Sequence, residues 1–188
     1  MGELTMNVNT TPLEGVCLVE TIASSDHRGS FSRLFCTDEL TAIVAHRQIK
    51  QINHSCTHQV GTVRGMHLQE SPFAEMKLVR CIRGSVWDVA VDLRKNSATF
   101  LQWFGVELSP VNRRMLIIPE GCAHGFQVLG RDSEILYLHT AVYSPSSERG
   151  VHPRDPKIAI HWPLEITELS ERDANLRYIE DQFTGWNP

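Results

Sequence analysis

The chain has no basic excess. Its 188 residues carry 18 Lys and Arg against 22 Asp and Glu, a formal net charge of −4. General nucleic-acid binding needs a basic face, so that class is set aside, while a local basic pocket for a small phosphorylated molecule stays compatible. Long hydrophobic runs are also missing. No apolar stretch approaches the roughly 20 residues that a bilayer-spanning helix requires. The opening stretch MGELTMNVNTTPLEG lacks the basic region followed by an apolar run that marks a secretory signal. These gaps predict a cytoplasmic protein with no membrane partner. Cysteine is sparse and odd in number: Cys17, Cys36, Cys56, Cys81 and Cys122, with no C-x-x-C pair. Such a set makes no disulfide framework and predicts reduced, mostly buried thiols. Cys122 neighbours a candidate site residue, yet no base partner for it is evident. Internal repeats, low-complexity segments and interdomain linkers are absent too.

What is present is a succession of short strand signals. Residues 1–13 are polar and aperiodic and predict a loose leader, ahead of one domain over 14–188 in which order starts near Val16. CLVETI (17–22) reads as a strand, and SSDHRGSF (24–31) as a turn. TDELTAIVAHR (37–47) has helical spacing, with Thr37 as its N-cap and Leu40, Ile43 and Val44 on one face. From Lys50 onward, strand-like runs recur, punctuated by Gly84, Ser109-Pro110, Gly121 and Gly130. SVWDVAVDL alternates cleanly, with Val86, Asp88, Ala90 and Asp92 opposed to Trp87, Val89, Val91 and Leu93. After Pro145 the pattern fades, and 166–183 predicts a turn and a C-terminal helix capped by Ser170. The fold class that follows is mainly β: an antiparallel jelly-roll barrel with a few short helices, including a C-terminal one.

Three of these runs hold polar, proton-handling residues: VRGMHLQ with His67, IPEGCAHGF with His124, and ILYLHTAVYSP with Tyr137. Strand residues alternate faces, so such side chains can converge inside a barrel. Gly61 with His67, and Pro119 and Gly121 with His124, resemble the two motifs of the cupins. The metal-binding cupins carry His-x-His and a Glu in the first motif. This chain reads His67-Leu68-Gln69, and Glu75 stands one residue off the usual spacing. A neutral amide is a poor transition-metal ligand, so no metal site is expected.

A closer resemblance runs from about Gly15 to about Asp173, to a metal-free cupin branch, the dTDP-4-dehydrorhamnose 3,5-epimerases. It rests on ordered blocks: D-x-R-G-x-F (Asp26 to Phe31), Q-x-N-x-S (Gln51 to Ser55), R-G-x-H-x-Q (Arg64 to Gln69), KLVR (Lys77 to Arg80) and DVAVDLR (Asp88 to Arg94). IPEGxAHGF, LY, YSP, IxWP (Ile160, Trp162, Pro163) and LSxRD (Leu169 to Asp173) complete the series. The resemblance implies inversion of C3, C5 or both in a nucleotide-linked 4-keto-6-deoxy sugar, with dTDP-4-dehydro-6-deoxy-D-glucose giving dTDP-4-dehydro-L-rhamnose as the leading case. The ketone acidifies the hydrogens on C3 and C5 and is itself the electron sink, so no metal or organic cofactor is implied. Such chemistry needs a base, an acid on the opposite face and a partner for the enolate oxygen. By resemblance, His67 is the base, Asp173 the carboxylate that pairs with it, Tyr137 the opposite acid and Lys77 the partner of the C4 oxygen.

The same resemblance assigns substrate contacts to Arg28, Arg64 and Arg172, to Gln51, Asn53 and Ser55, and to His124. Tyr143 would stack on the base and Glu148 would meet the ligand. It also implies a homodimer with N-terminal strands exchanged or lent between copies. One departure stands out. The family usually reads R-G-x-F-x-E, and this chain has Arg33 in place of that Glu, a ligand contact. A cation there reverses what the position can pair with, so GDP- or CDP-linked sugars stay open as substrates. His139 stands where the family often has Thr. Two rival classes remain: a metal-dependent cupin built on His67, Glu75 and His124, and a non-catalytic sugar-nucleotide binder.

Overall fold

The computed structural model describes residues 5–188. Ten of its strands build two antiparallel sheets that face each other, and an eleventh closes the edge of one of them. The first sheet contains β1 (Met6–Thr10), β2 (Cys17–Thr21), β5 (Gln51–Thr57), β7 (Lys77–Arg83), β10 (Arg114–Ile118) and β12 (Ser133–His139), in the order β1-β2-β10-β7-β12-β5. The second contains β6 (Val63–Gln69), β8 (Val86–Asp92), β9 (Trp103–Leu108), β11 (Cys122–Val128) and β13 (Glu148–Gly150), in the order β13-β6-β11-β8-β9. A separate hairpin joins β3 (Ser24–Asp26) and β4 (Gly29–Phe31). The mainly β, antiparallel jelly roll expected from the strand signals is the fold observed. Among the described residues, no helix is long and apolar enough to cross a membrane.

The alternation of each strand decides what it packs against. Inward residues such as Val79, Val86, Ala90, Leu116, Ile118, Phe126 and Ile135 fill one end of the space between the sheets. The outward faces are also covered, so β7, β8 and β11 are buried on both sides along most of their length. Over the first sheet lie Val44 of α1 (Thr41–Val44) and Leu40, which precedes it, against Leu78, Met115 and Ile117. Over the second lies the C-terminal segment, with Ile158, Ile179, Phe183 and Trp186 against Val89, Val91 and Leu93. With one end plugged by apolar side chains, polar inward residues are left to line the other.

Two local expectations are corrected, and a third, the C-terminal helix, is present in a shorter form. The loose leader gives way from Met6 onward to a paired strand, since β1 runs antiparallel to β2 and Leu13 is buried in the barrel core; residues 1–4 of that leader lie outside the described residues. Four of the five side chains of β1 are exposed, so backbone pairing, not apolar burial, holds it, and the sequence shows no hydrophobic pattern. Thr37 does not cap α1. The helix starts at Thr41 after Leu40, with no side-chain cap, and the Thr37 carbonyl instead accepts the Thr41 hydroxyl at 2.8 Å. At the C-terminus, α2 (Glu171–Ala174) is a single turn, capped as expected by Ser170, whose side chain accepts from the Asp173 N–H. The following residues run on as an irregular strap, tied down where the Trp186 N–H reaches the Leu93 carbonyl at 2.8 Å.

Candidate active site

The open end of the barrel is a cavity of about 620 Å³ between the two sheets, within the range of small-molecule sites. From the second sheet, β6 contributes His67 and β11 contributes His124, directly paired in register. Their close approach depends on Gly65. Its φ is +127°, and a Cβ there would lie 2.5 Å from the Gly125 Cα. The ladder shifts register between His124 and Phe126, a bulge of the kind that re-aims side chains. From the first sheet, β12 contributes Tyr137 and His139, β5 contributes Asn53 and Ser55, and β7 begins with Lys77.

His67 is held by the C-terminal segment. Its Nε2 lies 2.7 Å from Asp173 Oδ1. An ionised carboxylate accepts there, so Nε2 carries the proton and Nδ1 keeps the basic lone pair. The other oxygen of Asp173 accepts the Gly65 N–H at 3.1 Å. Arg172 sits against the pair, with Nε 3.2 Å from Asp173 Oδ1 and Nη2 beside both ring nitrogens of His67, 3.0 Å from Nε2 and 3.4 Å from Nδ1, the nitrogen left to accept. Burial pushes the His67 pKa below the usual imidazole value; Asp173 opposes that shift, and the Arg172 and Lys77 charges add to it. Burial alone would raise the Asp173 pKa, but its bond to His67 and the nearby N–H and cation bring it below the usual carboxylate value. The result is a neutral imidazole backed by an ionised carboxylate.

Tyr137 lines the same cavity from the opposite sheet, its ring edge-on to His124 with centroids 6.1 Å apart. Its hydroxyl is 2.9 Å from Ser55 Oγ, and burial pushes its pKa well above the usual phenol value. Lys77 donates to the His67 carbonyl at 3.0 Å and lies 3.3 Å from Glu75 Oε1. His124 Nε2 lies 2.8 Å from Asp88 Oδ1 in the barrel interior. At the mouth, Glu148 accepts from the Tyr143 hydroxyl at 3.0 Å and pairs with Arg172 Nη1 at 2.9 Å. Arg64 donates from Nε to the Thr57 hydroxyl at 2.9 Å, leaving the rest of its guanidinium to the cavity.

The family model for dTDP-4-dehydrorhamnose 3,5-epimerase matches residues 10–181. The chain belongs to the dTDP-4-dehydrorhamnose 3,5-epimerase family. A dTDP-4-dehydrorhamnose 3,5-epimerase of Shigella flexneri is 43% identical to it over 171 residues, 90% of this chain and 94% of the relative. A dTDP-4-dehydrorhamnose 3-epimerase of Streptomyces niveus is 38% identical, over 90% of this chain and 82% of its own. Among solved structures, the Legionella pneumophila dTDP-6-deoxy-D-glucose-3,5-epimerase in complex with dTDP-4-keto-L-rhamnose superposes with a TM-score of 0.89 at 37% identity, covering 97% of this chain and 99% of that one. The enzyme is therefore an isomerase.

Within this epimerase, the cavity brings together His67, Tyr137, Asp173, Lys77, Asn53, Ser55, Arg64, His124, Tyr143, Glu148 and Arg172. Three predicted site residues lie elsewhere on the protomer. Arg28 is exposed on the β3–β4 hairpin and pairs with Asp26 at 2.6 Å. Arg33 pairs with Glu39, outside the cavity. Gln51 does not line it but accepts the Tyr143 N–H at 3.1 Å and so braces the mouth. Of the residues a metal-dependent cupin would use, His67 pairs with Asp173, His124 with Asp88, and Glu75 with Lys77 and His139. Among the described residues, no group of three His, Cys, Asp or Glu is arranged to hold a metal. Cys122 is buried, and its thiol is pushed up to about 12, mainly by that burial, which makes it no nucleophile.

Sequence reasoning missed Asp88 and the joint position of Glu75 and His139. Asp88 had a legible signal: alternation puts it on the inward face with Val86 and Ala90.

Proposed function

We propose that this epimerase converts dTDP-4-dehydro-6-deoxy-D-glucose to dTDP-4-dehydro-L-rhamnose by inverting C3 and C5 through an enolate. The observation that carries this reading is the placement of a neutral, carboxylate-backed imidazole on β6 and a protonated phenol on β12, on facing walls of one cavity. His67 Nδ1 takes the proton from C3 or C5. The electron pair of that C–H bond enters the enolate, and negative charge builds on the C4 oxygen beside the Lys77 ammonium. Tyr137 returns a proton from the other face. A phenol whose pKa is driven upward by burial stays protonated through the resting state and yields its proton only to a strongly basic carbon. Arg64 and Arg172 meet the diphosphate, where guanidinium groups bind oxygens in pairs. Tyr143, half exposed at the mouth, stacks on the base. To bind the diphosphate, Arg172 gives up part of its resting contact with Glu148.

The active form is a homodimer. No residue of the β3–β4 hairpin is buried on its own protomer, and Phe31 at its end is 65% exposed. A second copy covers that hairpin and brings Arg28 and Arg33 into use. Light scattering should give twice the protomer mass of 21.3 kDa, and a monomer at working concentrations would refute the assembly.

The reaction is tested by NMR in D2O with chelator-treated protein and dTDP-4-dehydro-6-deoxy-D-glucose. Deuterium should enter at both C3 and C5. Exchange at C3 alone would restrict the enzyme to a single inversion. No exchange would overturn the dTDP substrate, and the same assay with GDP- and CDP-linked sugars would then show whether Arg33 has changed the base.

A further inference from the structure

Glu75 and His139 form a titratable cluster that the proposed reaction leaves unused. His139 of β12 and Lys77 of β7 are register partners, and Glu75 lies two residues before Lys77. The Glu75 carboxylate is divided between them. Oε2 accepts from His139 Nδ1 at 2.9 Å, while Oε1 lies 3.3 Å from Lys77 Nζ. On its far side, His139 Nε2 is 3.4 Å from Asn53 Nδ2, and its ring packs beside Tyr137 with centroids 6.0 Å apart. The side chains are nearly enclosed: Glu75 is 7% exposed, Lys77 9% and His139 12%. Burial alone would raise the Glu75 pKa, but the His139 bond and the Lys77 charge bring it below the usual carboxylate value.

An ionised carboxylate this close to Lys77 has two opposed effects. It gives the nearly enclosed amine a partner of opposite charge. It also competes for the ammonium with any anion that forms in the cavity. How strongly it competes depends on what else holds the carboxylate. A donor on Oε2 draws charge away from Oε1 and fixes the side-chain rotamer. Without that donor, both oxygens are free to close on Nζ. The other charged or titratable groups that line the cavity with the cluster are Tyr137 and His54 from the same sheet, Arg64, His67, His124 and Glu148 from the facing sheet, and Tyr143, Arg172 and Asp173 from the segments at its mouth.

We propose that His139 is a positioning residue that acts through Glu75 on Lys77: by occupying one carboxylate oxygen, it limits the hold of Glu75 on the ammonium and leaves Lys77 free to meet the enolate oxygen. This rests on the reading of Lys77 given above. His139 does not touch the reacting carbons in this scheme; its whole effect passes through the carboxylate.

The test combines His139→Phe, His139→Asn and the double variant His139→Phe/Glu75→Gln. Phe keeps the ring beside Tyr137 and removes the N–H, whereas Asn restores a donor near the place of Nδ1. His139→Phe should lower kcat by about tenfold with KM little changed, the scale of one altered charge-assisted contact. His139→Asn should recover most of that loss, and Glu75→Gln in the Phe background should also relieve it, since no carboxylate then remains to capture Lys77. The nitrogen NMR resonance of Lys77 Nζ, read without sugar, should shift in His139→Phe and move back in His139→Asn. A rate loss that Glu75→Gln does not relieve would overturn the proposal, as would an unmoved Lys77 resonance. If the resonance moves as expected while the parent protein exchanges no deuterium with any 4-keto sugar, the coupling stands and the reaction assigned above falls.

Discussion

Two histidines, each paired with an aspartate, face the same cavity from neighbouring strands, and the pairs differ in how the carboxylate is satisfied. His67 and His124 are direct register partners on β6 and β11. Each presents Nε2 to an aspartate, at 2.7 Å in one pair and 2.8 Å in the other. Asp173 comes from the C-terminal segment and has both oxygens occupied, one by His67 and Arg172, the other by the Gly65 N–H. Asp88 comes from β8 and is fully buried, and its Oδ2 has no hydrogen-bond partner. Burial therefore dominates at Asp88 and raises its pKa, whereas donors outweigh burial at Asp173 and lower it. The same residue pair thus gives a backed base in one place and, in the other, a fixed imidazole over a carboxylate that burial holds toward its neutral form.

The sharpest way to break this distinction is to remove each imidazole in turn. His67→Asn should cut turnover by about a thousandfold or more, as expected for loss of a general base. His124→Asn should cost about tenfold, because a positioned side chain is lost while the base remains. Circular dichroism should show both variants folded. Equal losses in kcat would erase the functional difference between the pairs.

Much of the inner wall was legible because strand alternation is a local signal. His67 and Tyr137 follow directly from the period of two, each set between apolar neighbours that point outward, such as Leu68 and Leu138. The pairing of His67 with Asp173 carries no such signal. The two lie 106 residues apart, and only the family resemblance joined them before the structure did. Glu75 was weighed only as a displaced metal ligand, since nothing local shows that it reaches across to His139. The C-terminal strap misled for a different reason. Ile179 and Phe183 have the i, i+4 spacing of a helix, yet both are drawn onto the outer face of the second sheet as irregular chain. Arg28, which the resemblance assigns to the site, and Arg33, which stands in place of a Glu of the family pattern, lie outside the cavity of a single protomer.

Smaller effects separate the two carboxylates. Asp173→Asn removes the charge that opposes burial at His67, so the imidazole pKa should fall further and the acid limb of kcat/KM should move to lower pH. The plateau should drop by about a hundredfold, because the weaker base takes a proton from carbon less readily. Asp88→Asn should leave the acid limb in place and lower the plateau by less than about tenfold. The two changes should also have opposite signs in stability. Asp173, with its folded pKa depressed, contributes stability that is present above the unfolded carboxylate pKa and lost as pH falls through the folded one. Asp88, with its folded pKa raised, contributes most below the unfolded pKa and loses that contribution as pH rises through the folded one. At neutral pH, Asp173→Asn should therefore lower Tm, and Asp88→Asn should hold or raise it. A lower Tm in both, with the acid limb displaced in both, would mean that the two aspartates do the same work and that the missing partner at Asp88 Oδ2 has no functional consequence.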